Sequence, residues 1–238
     1  MNRVPRILTH PLPQALNHHL IQGDSAHYLL KVLRVKPGQP LELFDGAGQQ
    51  MRATVSATDR RSLTLDCQDI SQVDNRIPAH TTLCLALIKP ERFEWALQKT
   101  CELGVDHIQP LICQRTDGRL MDKLDKKMAR WQSILDSACE QSLRSHSPRL
   151  SAPIALEALE LQGQGYVLDP EASEALQPST QPIQLLIGPE GGWTQDEQRL
   201  IANKGYAGIT LGPRILRAET AAVTALSLCQ YLSGDLAG

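Results

Sequence analysis

Two glycine-containing turns near the C-terminal end constrain the fold of this chain of 238 residues more than any other feature. Residues 188–192 read Gly-Pro-Glu-Gly-Gly, and a second turn begins at Gly212-Pro213. Each turn follows a short apolar run that is typical of a strand and precedes a helical pattern. Tandem strand–turn–helix units indicate a parallel sheet, and ligands bind at the carboxyl ends of its strands. We therefore predict an α/β fold with both turns at one edge of the sheet.

The region from Thr81 onward alternates between strand and helix patterns. Predicted strands cover residues 81–88, 108–113, 166–169, 184–187 and 209–211. Predicted helices cover residues 90–103, 120–143 and 218–232, and one more helix begins after Thr194, where Glu197 completes a capping box. This alternation predicts a parallel sheet covered by helices.

The first 72 residues have a different pattern. Short strands are predicted at residues 41–44, 51–56 and 62–67, with a hairpin turn at residues 45–48 and a helix at 27–35. Strands packed around one helix predict a small β-barrel-like domain. A polar stretch at residues 68–80 suits a linker, so we place one domain at residues 1–72 and the other at 73–238.

The formal net charge of −2 gives no global sign of a nucleic-acid partner. Residues 1–72, however, hold eight Lys or Arg against six Asp or Glu. This mildly basic half favours a polyanion partner. Ordinary variation of surface charge explains the difference equally well on charge alone.

Cysteine and histidine spacing argues against metal binding. The six cysteines are dispersed without paired spacing, and the histidines have no partner at ligand spacing. We expect reduced, structural thiols and a cytoplasmic protein. We expect no membrane association either, because the N-terminus lacks a signal-peptide core and the longest apolar run, residues 83–88, is too short to cross a bilayer.

Neither glycine turn has the chemistry of a phosphate-binding loop. The first lacks the Lys-Ser/Thr of a P-loop, and neither has the Gly-x-Gly-x-x-Gly pattern of dinucleotide folds. We therefore expect a flat, largely uncharged ligand. Glu190, between Pro and Gly, is poorly placed for core packing and can accept hydrogen bonds or protons. Arg214, Arg217 and Glu219 cluster after the second turn, although a ligand-free turn and solvated surface charges would also account for these residues.

The combined motifs resemble those of the SPOUT-class methyltransferases that modify N3 of a uridine in small-subunit ribosomal RNA. Residues 187–192 read Ile-Gly-Pro-Glu-Gly-Gly, and residues 211–221 read Leu-Gly-Pro-Arg-Ile-Leu-Arg-Ala-Glu-Thr-Ala. The resemblance extends over nearly the whole chain, through residues 4–6, 27–38, 89–90, 98–105 and 138–144. The second motif differs from the Ser-Leu-Asn-Val-Ser type of related ribose methyltransferases, which favours a base as the target.

This resemblance implies a C-terminal trefoil knot, a PUA-like RNA-binding N-terminal domain, a homodimer, and S-adenosylmethionine as cofactor. The implied partner is small-subunit ribosomal RNA or the 30S subunit. The implied cofactor residues are Leu168, Ile187, Gly188, Pro189, Glu190, Gly191, Gly192, Leu211, Gly212, Ile215, Leu216 and Thr220. The residues that we predict to bind RNA are Arg3, Arg6, Lys31, Arg34, Lys36, Arg115 and Arg144, although a solvated surface charge would account for each of them taken singly.

Catalysis at N3 of uracil needs a proton acceptor and stabilisation of the negative charge that develops. Glu190 or Glu219 is the candidate base, and Arg217 or Arg214 is the candidate anion stabiliser. The sequence does not choose between the two carboxylates. Two other functions stay open at this point: a non-catalytic ribosome assembly factor that binds RNA, and a methyltransferase of this fold with another RNA or ribose target.

Overall fold

The computed structural model describes residues 4–14, 18–73, 80–179 and 181–236. The chain divides into two compact units. The N-terminal unit comprises Met1–Arg76 with Cys139–Ser147, and the C-terminal unit comprises Ile77–Ala138 with Pro148–Gly238. A boundary between residues 72 and 73 stays a prediction.

The N-terminal unit contains a five-stranded sheet and a short helix. Its elements are β1 (Arg6–Leu8), β2 (His19–Ile21), α1 (Gly23–His27), β3 (Pro40–Phe44), β4 (Gln49–Thr58) and β5 (Leu63–Gln72). The strand order is β1-β3-β4-β5-β2, in which β1 pairs parallel with β3 and the other neighbours are antiparallel. A π-helical turn, Tyr28–Val32, continues α1.

The three longer strands of this sheet confirm the predicted ones, but β5 continues through residues 68–72, which were predicted as linker. Their alternating apolar residues are buried, and Leu29 from the π-helical turn packs into the same core. The predicted hairpin turn joins β3 to β4, with Asp45 Oδ1 accepting hydrogen bonds from the backbone N–H of Ala47 and Gln49. We did not predict β1 and β2, because three residues are too few to show an alternating pattern.

The C-terminal unit contains a seven-stranded parallel sheet with helices. Its elements are β6 (Thr81–Ala86), α2 (Pro90–Glu102), β7 (His107–Ile112), α3 (Leu124–Ser142, of which residues 124–138 belong to this unit), β8 (Arg149–Leu150), β9 (Ile154–Ala155), β10 (Gln164–Leu168), β11 (Ile183–Ile187), α4 (Gln195–Asn203), β12 (Ala207–Ile209) and α5 (Ala218–Leu232). The strand order is β12-β10-β11-β6-β7-β8, and β9 pairs with β7. All these pairings are parallel, as the sequence predicted.

The helix boundaries follow the capping signals in the sequence. Pro90 stands in the first turn of α2, and Gly104 beyond its end has a φ of +91°. Thr194 caps α4 and forms the predicted capping box with Glu197. In the described ranges, no helix combines the length and the apolar character needed to cross a membrane.

Candidate active site

Three loops of the C-terminal unit meet because their strands are neighbours. β12, β10 and β11 lie side by side and run parallel, so their carboxyl ends share one edge of the sheet. The two glycine turns follow β11 and β12, and a loop beginning at Asp169 follows β10. The prediction that both turns lie at the same edge is therefore confirmed.

A cavity of about 610 Å³ lies between these loops. This volume falls within the range of about 300–1,000 Å³ that is usual for small-molecule sites. The predicted site residues that line the cavity are Arg115, Leu168, Ile187, Gly188, Pro189, Glu190, Gly191, Gly192, Leu211, Gly212, Arg214, Ile215, Leu216 and Arg217. Glu219 and Thr220 do not line it, although both stand in the first turn of α5.

The glycines of the first turn keep the loop close to its neighbours. A Cβ added at Gly188 would lie 2.9 Å from the Trp193 ring, and one at Gly191 would lie 3.0 Å from Arg115 Cδ. Gly212 in the second turn has a φ of +100°, a conformation that L side chains rarely adopt. Close neighbours at Gly188 and Gly191, and the backbone conformation at Gly212, therefore disfavour side chains, and the backbone itself lines the cavity at these positions.

Arg92 is a cavity residue that no sequence motif indicated. It lies in the first turn of α2, and its Nη1 is 3.2 Å from Glu190 Oε1. Its Nε lies 3.6 Å from Glu219 Oε1. One guanidinium thus contacts the carboxylates of both glycine-turn motifs. The helix start after β6 was the signal available, because β6 neighbours β11 and ends at the same edge of the sheet.

The two carboxylates occupy different environments. The Glu190 side chain is 36% exposed and lines the cavity, whereas the Glu219 side chain is 12% exposed. Within the described part of the chain, Glu219 Oε2 is buried without a hydrogen-bond partner. A buried carboxylate needs its countercharge, so Glu219 depends on Arg92.

Arg115 contacts the first turn directly, and a buried carboxylate holds the loop that carries it. Arg115 Nη1 donates to the carbonyl of Gly191. The neighbouring Gln114 N–H donates to Glu197 Oε1 at 2.8 Å, while Glu197 Oε2 accepts from the Thr194 N–H at 2.8 Å. Glu197 therefore ties the loop after β7 to the start of α4, and Arg115 lies beside the cavity as a result.

A thiol near this loop, that of Cys113, has a raised pKa. Burial, and secondarily the charge of Glu197, raise the pKa of Cys113 to about 12. A thiol with so high a pKa stays protonated near neutral pH and is a poor nucleophile. Among the residues that the structure describes, no group of three or more His, Cys, Asp or Glu is arranged to hold a metal ion. The charged residues that line the cavity are Arg92, Arg115, Asp169, Glu171, Glu190, Arg214 and Arg217.

The residues predicted to bind RNA fall into different environments. Arg3 lies outside the described residues, and Arg115 lines the cavity. Lys31, Arg34 and Lys36 are exposed on the N-terminal unit. Arg144 belongs to that unit and is half-buried, and its carbonyl accepts a hydrogen bond from Arg6.

Arg6 itself is only 6% exposed. Its Nε lies 2.6 Å from Glu42 Oε1, and its guanidinium stacks over the Phe44 ring at 4.0 Å. It also donates to the Ser145 hydroxyl. These contacts hold the N-terminal unit together and argue against a direct phosphate contact by Arg6.

Two protein-family models match this chain. A family model described as an RNA methyltransferase domain matches residues 75–230. A second model, described as an RNA methyltransferase PUA domain, matches residues 21–66.

Individual relatives agree with these models. The Synechocystis protein named ribosomal RNA small subunit methyltransferase E is 35% identical over 84% of this chain and 69% of its own length. The structure of a Neisseria gonorrhoeae protein of the same name, bound to S-adenosylmethionine, has a TM-score of 0.86 at 32% identity over 98% of this chain and 100% of that chain. A Legionella pneumophila methyltransferase with bound S-adenosylmethionine has the same TM-score and identity over 96% of this chain and 98% of that chain. This chain belongs to the RNA methyltransferase family that includes the ribosomal RNA small subunit methyltransferases E.

Proposed function

We propose that this protein transfers the methyl group of S-adenosylmethionine to N3 of a uridine in small-subunit (16S) ribosomal RNA. The main support is the convergence of both glycine turns, with Glu190, Arg214 and Arg217, on one cavity. Two similar structures contain S-adenosylmethionine. The names of the relatives support small-subunit ribosomal RNA as the substrate.

The residues of the cavity fit this cofactor. Adenosine carries no phosphate, so backbone groups and apolar walls suffice to hold it. Glycine turns provide the backbone surface, and Ile187, Leu211, Ile215 and Leu216 provide the apolar one. When bound, S-adenosylmethionine supplies an activated methyl group on a positively charged sulfur. The cofactor residues named from the sequence are proposed here as that binding site, with Thr220 next to it rather than in its wall.

The arginines and carboxylates of the cavity suit chemistry at N3 of uracil. N3 carries a proton between two carbonyl groups and becomes nucleophilic when that proton is removed. Glu190, which lines the cavity, is one candidate to accept the proton, and Glu219 is the other. Arg217 and Arg214 at the cavity wall suit stabilisation of charge on O2 and O4. The target base has to be unpaired, because a duplex hides its N3 edge.

The N-terminal unit offers a surface suited to RNA. Lys31, Arg34 and Lys36 are exposed in and after the π-helical turn, next to the exposed Tyr28 and Val32. Cations bind phosphates, and an exposed aromatic ring offers a face for base stacking. We propose this surface, with Arg115 and Arg144, as the RNA contact, and a PUA-like β-barrel as the form of the domain at residues 1–72.

Four further features are proposed from family membership. The chain from β10 to α5 is proposed to thread as a trefoil knot. The protein is proposed to act as a homodimer in the cytoplasm, without a metal. Exposed apolar side chains on α2 and α5 support a dimer, namely Trp95, Leu228 and Tyr231.

Methyl transfer to purified small-subunit ribosomal RNA from cells that lack this protein tests the proposal. We expect transfer of labelled methyl groups and, after nuclease digestion, N3-methyluridine in the nucleoside mass spectrum. An N3 methyl group blocks base pairing, so the modified position also stops primer extension. Binding of the RNA without any methyl transfer would support the assembly factor instead, and a methylated ribose would refute N3 as the target.

A further inference from the structure

The position of Arg92 next to Glu190 has a consequence for base recognition. Both residues line the cavity, with Arg92 Nη1 3.2 Å from Glu190 Oε1. A hydrogen-bond donor and an acceptor thus lie side by side at the cavity wall. In the described part of the chain, the ion pairs of Arg92 use Nε and Nη1, which leaves the Nη2 hydrogens for a ligand.

This donor–acceptor pair is complementary to the imide edge of uracil. That edge presents an N–H donor at N3 flanked by carbonyl acceptors at O2 and O4. Cytosine lacks the N3 proton, so in the same position its N3 lone pair would face the Glu190 carboxylate, acceptor against acceptor. Mismatched polar groups in a site of this kind reject the wrong ligand strongly.

We propose that Arg92 and Glu190 together recognise the uracil imide edge, with Glu190 as the base, and that Glu219 holds Arg92 in position. This inference rests on the proposed function and assigns the base that the sequence left open. The N3–H bond breaks as Glu190 takes the proton, and its electron pair stays on N3. Arg92 donates to the adjacent carbonyl oxygen, where the negative charge spreads.

N3 then forms its bond to the methyl carbon while the carbon–sulfur bond breaks, with that electron pair remaining on sulfur. The products are N3-methyluridine and S-adenosylhomocysteine. Glu190 is 36% exposed, so it can release its proton to solvent. Glu219 is largely buried and contacts Arg92 from behind the cavity wall, so it acts as a positioning residue and not as the base.

The test compares Arg92→Met, Arg92→Lys, Glu190→Gln and Glu219→Gln in the full chain. Arg130→Met is the matched control, because Arg130 pairs with Glu94 on an exposed surface and does not line the cavity. The measurements are kcat and KM for methyl transfer to unmodified small-subunit ribosomal RNA, and the Kd of S-adenosylmethionine by calorimetry. Arg92→Lys keeps a cation for both carboxylates and tests recognition even if Arg92→Met fails to fold, since lysine lacks the planar donor fork.

We expect kcat to fall roughly 10²–10³-fold in Arg92→Met and 10²–10⁴-fold in Glu190→Gln, with cofactor affinity retained. Arg92→Lys should also lose kcat, and Arg130→Met should not. Glu219→Gln should lower kcat, and adding it to Arg92→Met should cause little further loss, because the two residues act as one unit. If Glu219 only stabilised the fold, the free-energy losses of the two single variants would add up in the double variant.

Unchanged kcat in both Arg92 variants overturns the inference. It also fails if those variants weaken cofactor binding while kcat is retained, because Arg92 would then pair with the cofactor. Full activity of Glu190→Gln removes Glu190 as the base. These outcomes require an active wild-type protein, whereas a wild-type protein that makes no N3-methyluridine refutes the proposed function itself.

Discussion

Gly188 illustrates how one absent side chain shapes the cavity. Its backbone stands so close to Trp193 that a Cβ would meet the indole ring at 2.9 Å. The contact is with a ring in the loop that leads to α4, and a rigid ring cannot bend away as the end of a flexible side chain can. Residue 188 is therefore glycine because of packing, and the neighbouring turn depends on this close approach.

We expect Gly188→Ala to displace Trp193 or the turn. Overpacking of this kind costs about 1–3 kcal/mol and should weaken cofactor binding, because the same turn lines the cavity. Thermal unfolding and calorimetric titration with S-adenosylmethionine measure the two effects. Gly118→Ala is the matched control, since nothing lies within 4 Å of a Cβ there. Equal behaviour of the two variants would contradict the packing argument.

The burial and the partners of Arg6 and Arg92 do not follow from residue type alone. A basic residue near the N-terminus suggested a phosphate contact, yet Arg6 is buried against Glu42 and Phe44. Arg92 carries no motif signal, and Glu190, its partner, is 98 positions away in the chain. The sequence gives the charge of each arginine, but the folded chain sets its burial and partner.

Among the secondary-structure elements, α4 has a residue with two roles: Glu197 caps the helix start and also contacts a loop beside the cavity. The capping box follows from local sequence, and it was predicted correctly. The same Glu197 carboxylate also accepts the Gln114 N–H from another loop, a contact that no local pattern indicates. One buried carboxylate therefore supports both a helix end and the loop that carries Arg115.

We expect Glu197→Ala to destabilise the protein by about 2 kcal/mol, because it removes half of the capping box and leaves the partly buried N–H groups of Gln114 and Thr194 without their carboxylate partner. Asp196→Ala, one position earlier, removes an exposed ion pair with Arg199 and should cost about 0–1 kcal/mol. Urea unfolding of both variants measures the difference. A loss for Asp196→Ala as large as that for Glu197→Ala would show that helix charge, and not the buried contacts, matters.

The π-helical turn and the residues after it form the proposed RNA-binding element. Removing two cations with Lys31→Ala and Lys36→Ala should weaken RNA binding and make its salt dependence shallower. The slope of log K against log salt should fall by roughly 0.7–0.9 for each phosphate group that the variant no longer neutralises. Lys126→Ala with Arg199→Ala removes two exposed cations of the C-terminal unit as a control. An unchanged slope in the first double variant would refute this surface.

For the whole molecule, the buried thiols make stability depend on alkaline pH. All six cysteines are free and buried. Burial raises the pKa of Cys84 and of Cys229 from 9.0 to about 12. Between these values an unfolded thiol has lost its proton while the folded one keeps it, so the unfolded state binds fewer protons.

The unfolding free energy should therefore fall as the pH rises from 9 towards 12. Denaturant unfolding across this range measures the slope, and Cys84→Ala should make it less steep by removing one of the thiols. At about pH 8 the native thiols should react slowly with a thiol reagent and become reactive after unfolding. Rapid labelling of the native protein under these conditions would contradict the burial of these groups.

Much of the fold was predictable, because its strands and helices carry strong local signals. Helix α5 has the predicted bounds, and the parallel pairing of the C-terminal sheet follows from the alternation of elements. The short strands β1, β2, β8 and β9 were missed. Three-residue or two-residue strands owe their existence to a neighbouring strand and not to their own sequence pattern.

The sequence by itself determined the secondary structure and the types of side chain available for a reaction. Periodicity and capping residues act over a few neighbouring positions, so they specify the strands, the helices and the two glycine turns. The tertiary structure decided which side chains meet. Strand order brings the turns after β11 and β12 to one edge, and packing of α2 brings Arg92 to Glu190 and Glu219. Contacts between distant parts of a chain depend on burial and packing, and a linear pattern does not encode them locally.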